Sequence, residues 1–179
     1  MPYIPSGTEL LHPFQILERV GLRQGMQVTD LGCGALGHFV FPAAELVGKT
    51  GTVYAVDILK SALSNIESKS KMMGASNVRS VWSDIEIVGA AHIPAGTSDV
   101  VLLVNNLTKQ TMIAEACRLL KPGGMLLIVD WKLSATPFGP PSKDRIDKEI
   151  AKNMAHDEKL QFKEEWDAGQ YHYALLFIK

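Results

Sequence analysis

The stretch Val28-Thr29-Asp30-Leu31-Gly32-Cys33-Gly34-Ala35-Leu36-Gly37 constrains this chain more than any other. It reads as a buried strand that ends in an acid and runs through a glycine turn into a helix. Gly32 and Gly34 lack the Cβ atoms that would hold a ligand away from the backbone, and Gly37 lets the following helix approach the strand closely. That helix opens with N–H groups that have no partner inside it and point at whatever occupies the turn. Glycines alone would say little, because ordinary turns and caps also collect them. The context adds weight: the next strand pattern, Thr52-Val53-Tyr54-Ala55-Val56-Asp57, ends in an acid about 20 residues beyond the last glycine, the spacing at which a carboxylate meets a ribose. The stretch therefore reads as a nucleotide-type cofactor site.

Around it the chain alternates strand and helix patterns. Pro13 opens a helix with Phe14, Leu17 and Val20 on one face, and Gly21 and Gly25 break it. Helices are predicted over 39–47, 60–73 (Ala62, Leu63, Ile66 and Met73 in a stripe) and from an N-cap at Thr108 to Leu120. Strands are predicted over 78–83, 99–104 and 125–129, with Pro122-Gly123-Gly124 a tight stop before the last. Segment 85–96 has no clear pattern. After Asp130 a proline-rich loop, Trp131 to Ser142, precedes a helix with Ile146, Ile150 and Met154 at four-residue spacing. The alternating charges from Lys143 to Glu149 read as a solvated face. Two strand patterns flank Asp167-Ala168-Gly169-Gln170 as a hairpin. Such alternation requires a parallel sheet covered by helices on both faces, with ligands at the carboxyl ends of the strands. Asp30, Asp57, Asp84, Asn105 and Asp130 all fall at predicted strand ends.

Length and composition fit one soluble domain: 179 residues, 46% hydrophobic and 21% charged. We read 1–179 as a single domain, with residues 1–24, an arm and a helix, placed to act as a lid. A net charge of −1 provides no electrostatic footprint for nucleic acid or an anionic membrane. No signal-peptide pattern and no apolar run long enough to span a bilayer is visible, so the expected location is cytoplasmic. Cys33 and Cys117 form neither a disulfide framework nor a metal spacing, and are expected to be free thiols.

Charge separates two candidate cofactors. A nicotinamide dinucleotide would press its pyrophosphate against the glycine turn, where Asp30 would repel it. S-adenosyl-L-methionine brings an ammonium and a sulfonium to the same region, which Asp30 attracts. Length points the same way, because few residues remain after Asp130 for a dehydrogenase's substrate domain.

Asp30-Leu31-Gly32-Cys33-Gly34, Val53-Tyr54-Ala55-Val56-Asp57, Ser83-Asp84 and Leu120-Lys121-Pro122-Gly123-Gly124, in that order, closely resemble the successive motifs of class I S-adenosylmethionine-dependent methyltransferases, particularly the small ubiquinone-biosynthesis-like group. The match runs from about residue 10 to the end. One departure is that two residues, Ala35 and Leu36, separate the second and third glycines, where many members have one. The resemblance implies a three-layer Rossmann-like α/β sandwich whose seven-stranded, mostly parallel sheet has an antiparallel last strand. Carried over by position, Asp30 would meet the methionine amino group, and Gly32, Gly34 and Gly37 would belong to the cofactor loop, with Cys33 packed beside the ligand. Asp57 would hold the ribose, Ile58 would cover an adenine face, and Asp84, with Ile85 next to it, would accept from the adenine amino group. Asn105, with Asn106, would border the methionine end.

Methyl transfer from a sulfonium is an in-line displacement with a neutral leaving group, so alignment is the main demand and neither a metal nor a covalent protein intermediate is required. A general base is needed only for an acceptor that must lose a proton early. The candidates are His12, His38, His92, His156 and His172, and none has a recognisable partner in the sequence. Asn105-Asn106-Leu107 is not the Asn/Asp-Pro-Pro-aromatic run of amino-methylating DNA enzymes, so a small organic acceptor is expected. The N-terminal arm and the loop after Asp130 would form its lid. Two other classes stay open on sequence alone: a nicotinamide-dependent oxidoreductase, and a non-catalytic S-adenosylmethionine-binding partner protein.

Overall fold

The structure is a computed structural model that describes residues 10–134 and 136–179. The N-terminal arm expected as part of a lid falls, through residue 9, outside the described residues. Helix α1 (Pro13–Val20) begins at its proline and is closed by Gly21 at φ +92°. Its buried face is Ile16, Leu17 and Val20, and Phe14 is exposed instead of sharing that face. At about 100° per residue, positions 16, 17 and 20 span one narrow arc and position 14 falls outside it.

There follow β1 (Gln27–Leu31), α2 (Val40–Val47), β2 (Thr52–Asp57), α3 (Lys60–Met73), β3 (Val78–Trp82), β4 (Ser98–Val104), α4 (Gln110–Leu119), β5 (Leu120–Trp131), α5 (Lys148–Asp157), β6 (Gln161–Asp167) and β7 (His172–Ile178). They build one seven-stranded sheet in the order β3-β2-β1-β4-β5-β7-β6. The first five strands pair in parallel, and β7 runs antiparallel to both β5 and β6. One face packs Val28, Leu102 and Leu127 against Val40, Leu63 and Ile66 of α2 and α3, with Leu17 of α1 beside them. The other packs Val101, Leu103 and Leu175 against Ile113 and Ala155 of α4 and α5. Strands β1 and β4 are neighbours although β2 and β3 intervene in sequence, so the strand order reverses between them and a cleft opens at their carboxyl ends.

Several expectations are corrected. Strand β5 begins at Leu120, and the glycine stop lies inside it as an irregularity where pairing jumps from Ser98 with Leu120 to Val100 with Met125. Pro122 has no N–H for the ladder and Gly123 sits at φ +77°, which bends the strand without ending it. Thr108 does not cap α4, which starts two residues later; its hydroxyl approaches Glu86 and Met112 instead. In α3, Met73 is exposed and leaves the stripe of Ala62, Leu63 and Ile66. The buried stripe of α5 is Ala151 and Ala155, with Ile150 exposed, because small residues let this helix lie close to the sheet. Arg145, read as part of a solvated face, is buried, and its guanidinium donates to the carbonyls of Lys132, Ser134, Phe138 and Pro140 at 2.8–3.1 Å. A loop with three prolines (Pro137, Pro140, Pro141) is short of backbone donors, and a buried arginine supplies them.

Candidate functional site

At the carboxyl ends of β1 and β2 the glycine turn is tied to the second strand. The N–H groups of Gly32 and Cys33 both donate to the Val56 carbonyl, at 2.8 and 3.0 Å. Asp57 continues the tie: its carboxylate accepts from Gly34 N and, through its own turn, from Leu59 N, each at 2.9 Å. The acid at the second strand end thus shapes the loop that follows the first. Gly34 sits at φ +65°, and a Cβ there would meet open space, so its glycine serves backbone conformation and access.

Two cavities open along this edge. One, of about 330 Å³, is lined by Asp30, Gly34, Cys33, His38 and Asn105 among others. The second, of about 480 Å³, is lined by Asp57, Ile58, Asp84, Ile85, Thr108 and Met112 among others. Gly32 and Asn106 border both. The Asn106 amide donates to the Leu31 carbonyl and lies so close over Gly32 that a Cβ on that glycine would collide with its nitrogen. Asn106 reaches this place because Asn105 adopts φ +58° and donates its N–H to Val129, while Leu107 N–H donates to the Asp130 carboxylate.

The predicted residues therefore come together with one exception. Asp30, Gly32, Cys33, Gly34 and Asn105 line the first cavity, and Asp57, Ile58, Asp84 and Ile85 the second. Gly37 lines neither; its α-carbon packs against Phe41 and Ile66. Asp84 closes a turn by accepting from Glu86 N at 2.9 Å, with its side chain still on the cavity wall.

Electrostatics distinguish these groups. Asp30 is buried, and among the described residues no donor meets its carboxylate; burial, then the charge of Asp57, raises it from 3.8 to about 7. Burial, with the same two acids, holds the Cys33 thiol protonated, which disqualifies it as a nucleophile. Asp130 is raised to about 6, chiefly by burial, against the pull of the Trp131 and Leu107 N–H groups and Arg145. Of the histidines, His12, His92 and His156 are exposed and line neither cavity. His172 is sealed against Trp131, ring centroids 4.2 Å apart, and burial followed by Arg145 and Lys132 lowers it to about 4. Only His38, among the described histidines, borders the cleft. Sequence reading did not single out Asn106 as the boundary between the cavities, nor Arg145 as the anchor of the loop after β5. Three prolines near a lone arginine were the available signal for the second.

A doubly wound sheet with this switch-point cleft and an acid at each of two adjacent strand ends defines a nucleoside-cofactor-binding protein of the Rossmann-like class. The family described as a methyltransferase domain matches residues 22–173, and the chain belongs to the S-adenosylmethionine-dependent methyltransferases. It is 36% identical over 117 residues to an arsenite methyltransferase of Aquipseudomonas alcaligenes, covering 61% of this chain and 34% of that protein. It is 32% identical over 130 residues to a ubiquinone/menaquinone biosynthesis C-methyltransferase of Laribacter hongkongensis, covering 69% and 50%. The chain thus spans a third to a half of the length of these curated relatives. Among solved structures, a SAM-dependent methyltransferase from Aquifex aeolicus superposes with a TM-score of 0.86 at 26% identity, covering 97% of this chain and 93% of that one. The antiparallel seventh strand and the overall sheet agree with the fold expected from the resemblance. Among the described residues no helix is long and apolar enough to cross a membrane.

Proposed function

We propose that this chain transfers a methyl group from S-adenosyl-L-methionine to a small organic acceptor. The observation that carries the reading is Asp30, a buried carboxylate with no donor among the described residues, on the wall of a cavity bounded by the glycine turn. A cationic amino-acid tail suits that wall, and a pyrophosphate does not. The residues present fit the cofactor. Asp30 would take the ammonium, Gly32 and Gly34 would admit the ligand to the backbone, and Asp57 would accept from the ribose hydroxyls with the lone pairs that Gly34 and Leu59 leave. Ile58 and Ile85 would flank the adenine and Asp84 its amino group. When bound, the cofactor supplies a methyl group on a sulfonium. The chain's contribution is alignment: Asn105 and Asn106 border the first cavity, and such positioning is worth roughly 7 to 11 kcal/mol when reacting atoms are held near contact.

Among relatives, the arsenite enzyme raises the question of a metalloid acceptor. Soft thiophilic centres call for paired thiolates. This chain has two cysteines, both free. Cys33 packs against one face of the sheet and Cys117 against the other, which favours an organic acceptor. The loop after β5 and the N-terminal arm would shape its site, and the net charge of −1 argues against nucleic acid.

Calorimetry with S-adenosylmethionine, its demethylated product and NAD tests the cofactor reading. The first two are expected to bind and NAD not to, and Asp57→Ala should lose at least tenfold in affinity, about 1.4 kcal/mol. Saturable NAD binding without a response to the sulfonium would sink it. Radiolabelled cofactor incubated with cell metabolites tests the acceptor: label should enter small organic products, and label confined to macromolecules would reject that assignment. A protein that binds the cofactor and never turns it over would be the non-catalytic partner instead.

Affinity should also depend on pH. The free Asp30 carboxyl sits near 7, and the ammonium selects its ionised form, so binding below that value releases a proton. Through Asp30, cofactor affinity should therefore fall by up to tenfold per unit as pH drops below about 7. A flat profile from pH 5 to 8 would show that Asp30 does not meet the cation.

A further inference from the structure

The amino-acid tail of the cofactor carries a carboxylate as well as an ammonium, and the first cavity provides an obvious partner only for the latter. Of the described side chains on its wall, Asp30 is an anion, no lysine or arginine contributes, and His38 alone is able to carry positive charge. Lys69 is exposed, bonded to the Leu36 carbonyl at 3.1 Å and stacked over Phe41, and does not line the cavity. His38 lies just ahead of α2, whose first turn presents the positive end of its dipole to the same region. Its ring is oriented from behind: Nε2 faces the Leu11 carbonyl at 3.4 Å, and Phe39 meets it edge-on at 5.8 Å. With Nε2–H committed to that carbonyl, Nδ1 is the ring nitrogen left to serve a ligand.

We propose that His38 binds the α-carboxylate of the cofactor as an imidazolium, through Nδ1–H, while Asp30 holds the α-ammonium, so that the first cavity selects a zwitterion. The inference rests on the S-adenosylmethionine reading and extends it to a residue that the glycine motif does not contain. It also assigns a use to the contact between Leu11, just before α1, and the residue that follows the cofactor loop. The Leu11 carbonyl orients a ring that touches ligand, as a second partner commonly fixes the tautomer of a functional histidine.

The test compares S-adenosylhomocysteine with 5′-methylthioadenosine, which keeps the nucleoside and thioether but lacks the amino-acid tail. In the wild-type chain both should bind by calorimetry. His38→Ala should weaken S-adenosylhomocysteine at least tenfold and leave 5′-methylthioadenosine within twofold, and His38→Gln, a donor without charge, should fall between. Thermal unfolding of each variant monitors the fold. An unchanged S-adenosylhomocysteine affinity in His38→Ala overturns the proposal, and loss of turnover alongside it would make the residue a base instead. Equal weakening of both ligands also overturns it, by showing a merely structural role. If the wild-type chain binds neither nucleoside, the cofactor reading itself has failed and this inference goes with it.

Discussion

Asp30→Asn is expected to make the ligand-free protein more stable at pH 8 and, in the same molecule, to cost at least tenfold in cofactor affinity. The sign follows from the raised carboxyl. In the folded chain it titrates near 7 and in the unfolded chain near 3.8, so the folded state holds the extra proton between those values. The stability that this proton confers is fully present below about pH 4 and is lost as pH rises through 7. Above that, the folded chain carries an ionised, desolvated acid, at a cost on the order of 4 kcal/mol. Asparagine avoids most of the cost, less about 1 to 2 kcal/mol for its own unpaired amide. Urea or thermal unfolding at pH 8 should therefore show a net gain of about 2 kcal/mol, which becomes a net loss of about 1 to 2 kcal/mol by pH 4, where only the amide penalty remains. The affinity loss arises because the amide brings no charge to the ammonium. A variant no more stable than the parent at pH 8 would mean that the carboxylate is already solvated or paired, and the case for a waiting cation site would fall with it.

Gly37→Ala should destabilise the chain by about 2 to 4 kcal/mol and Gly34→Ala by only about 1 kcal/mol, although both residues belong to one motif and both have positive φ. Either substitution places a side chain in the left-handed region, at about 1 kcal/mol. At Gly37 the new Cβ would also stand 2.5 Å from Ile66 Cδ1 and 2.7 Å from Phe41 Cε2, in the core where α2 and α3 meet, and overpacking there costs a further 1 to 3 kcal/mol. At Gly34 a Cβ meets nothing within 4 Å, but the residue lines the first cavity. Urea midpoints and cofactor titrations together should dissociate the pair: Gly37→Ala loses stability and, where folded, keeps most of its affinity, whereas Gly34→Ala loses affinity with the smaller loss of stability. Equal stability losses at the two positions would contradict the packing role given to Gly37. The contrast assigns the motif's third glycine to joining helices and its second to admitting a ligand.

Much of the cofactor side was legible because it depends on local rules. A strand that ends in an acid, a glycine turn and a second acid about one βα unit later place Asp30, Gly32, Gly34 and Asp57 together whatever surrounds them. Two segments outside the cofactor motifs were not legible, because their partners meet them only across the fold. Segment 85–96 has no periodicity of its own. It is pinned by α4, where buried Glu115 accepts from Gly89 N at 2.7 Å and Arg118 donates to the carbonyls of Ala91 and Ile93 at 3.0 Å. The loop after β5 likewise takes its shape from Arg145, whose neighbours in sequence look like an ordinary charged surface.

Alternating strand and helix patterns, their glycine stops and the charge at residue 30 were by themselves enough to determine a doubly wound sheet and to prefer a cationic cofactor tail over a pyrophosphate, because periodicity and Coulomb repulsion act over a few residues. Only the tertiary structure decided that Asn106 stands between two cavities, that His38 is the one described histidine on their wall, and that Arg145 is buried. Each of these depends on which distant carbonyls and voids a side chain meets once the sheet has closed around it, and such neighbours leave no periodic trace in the chain.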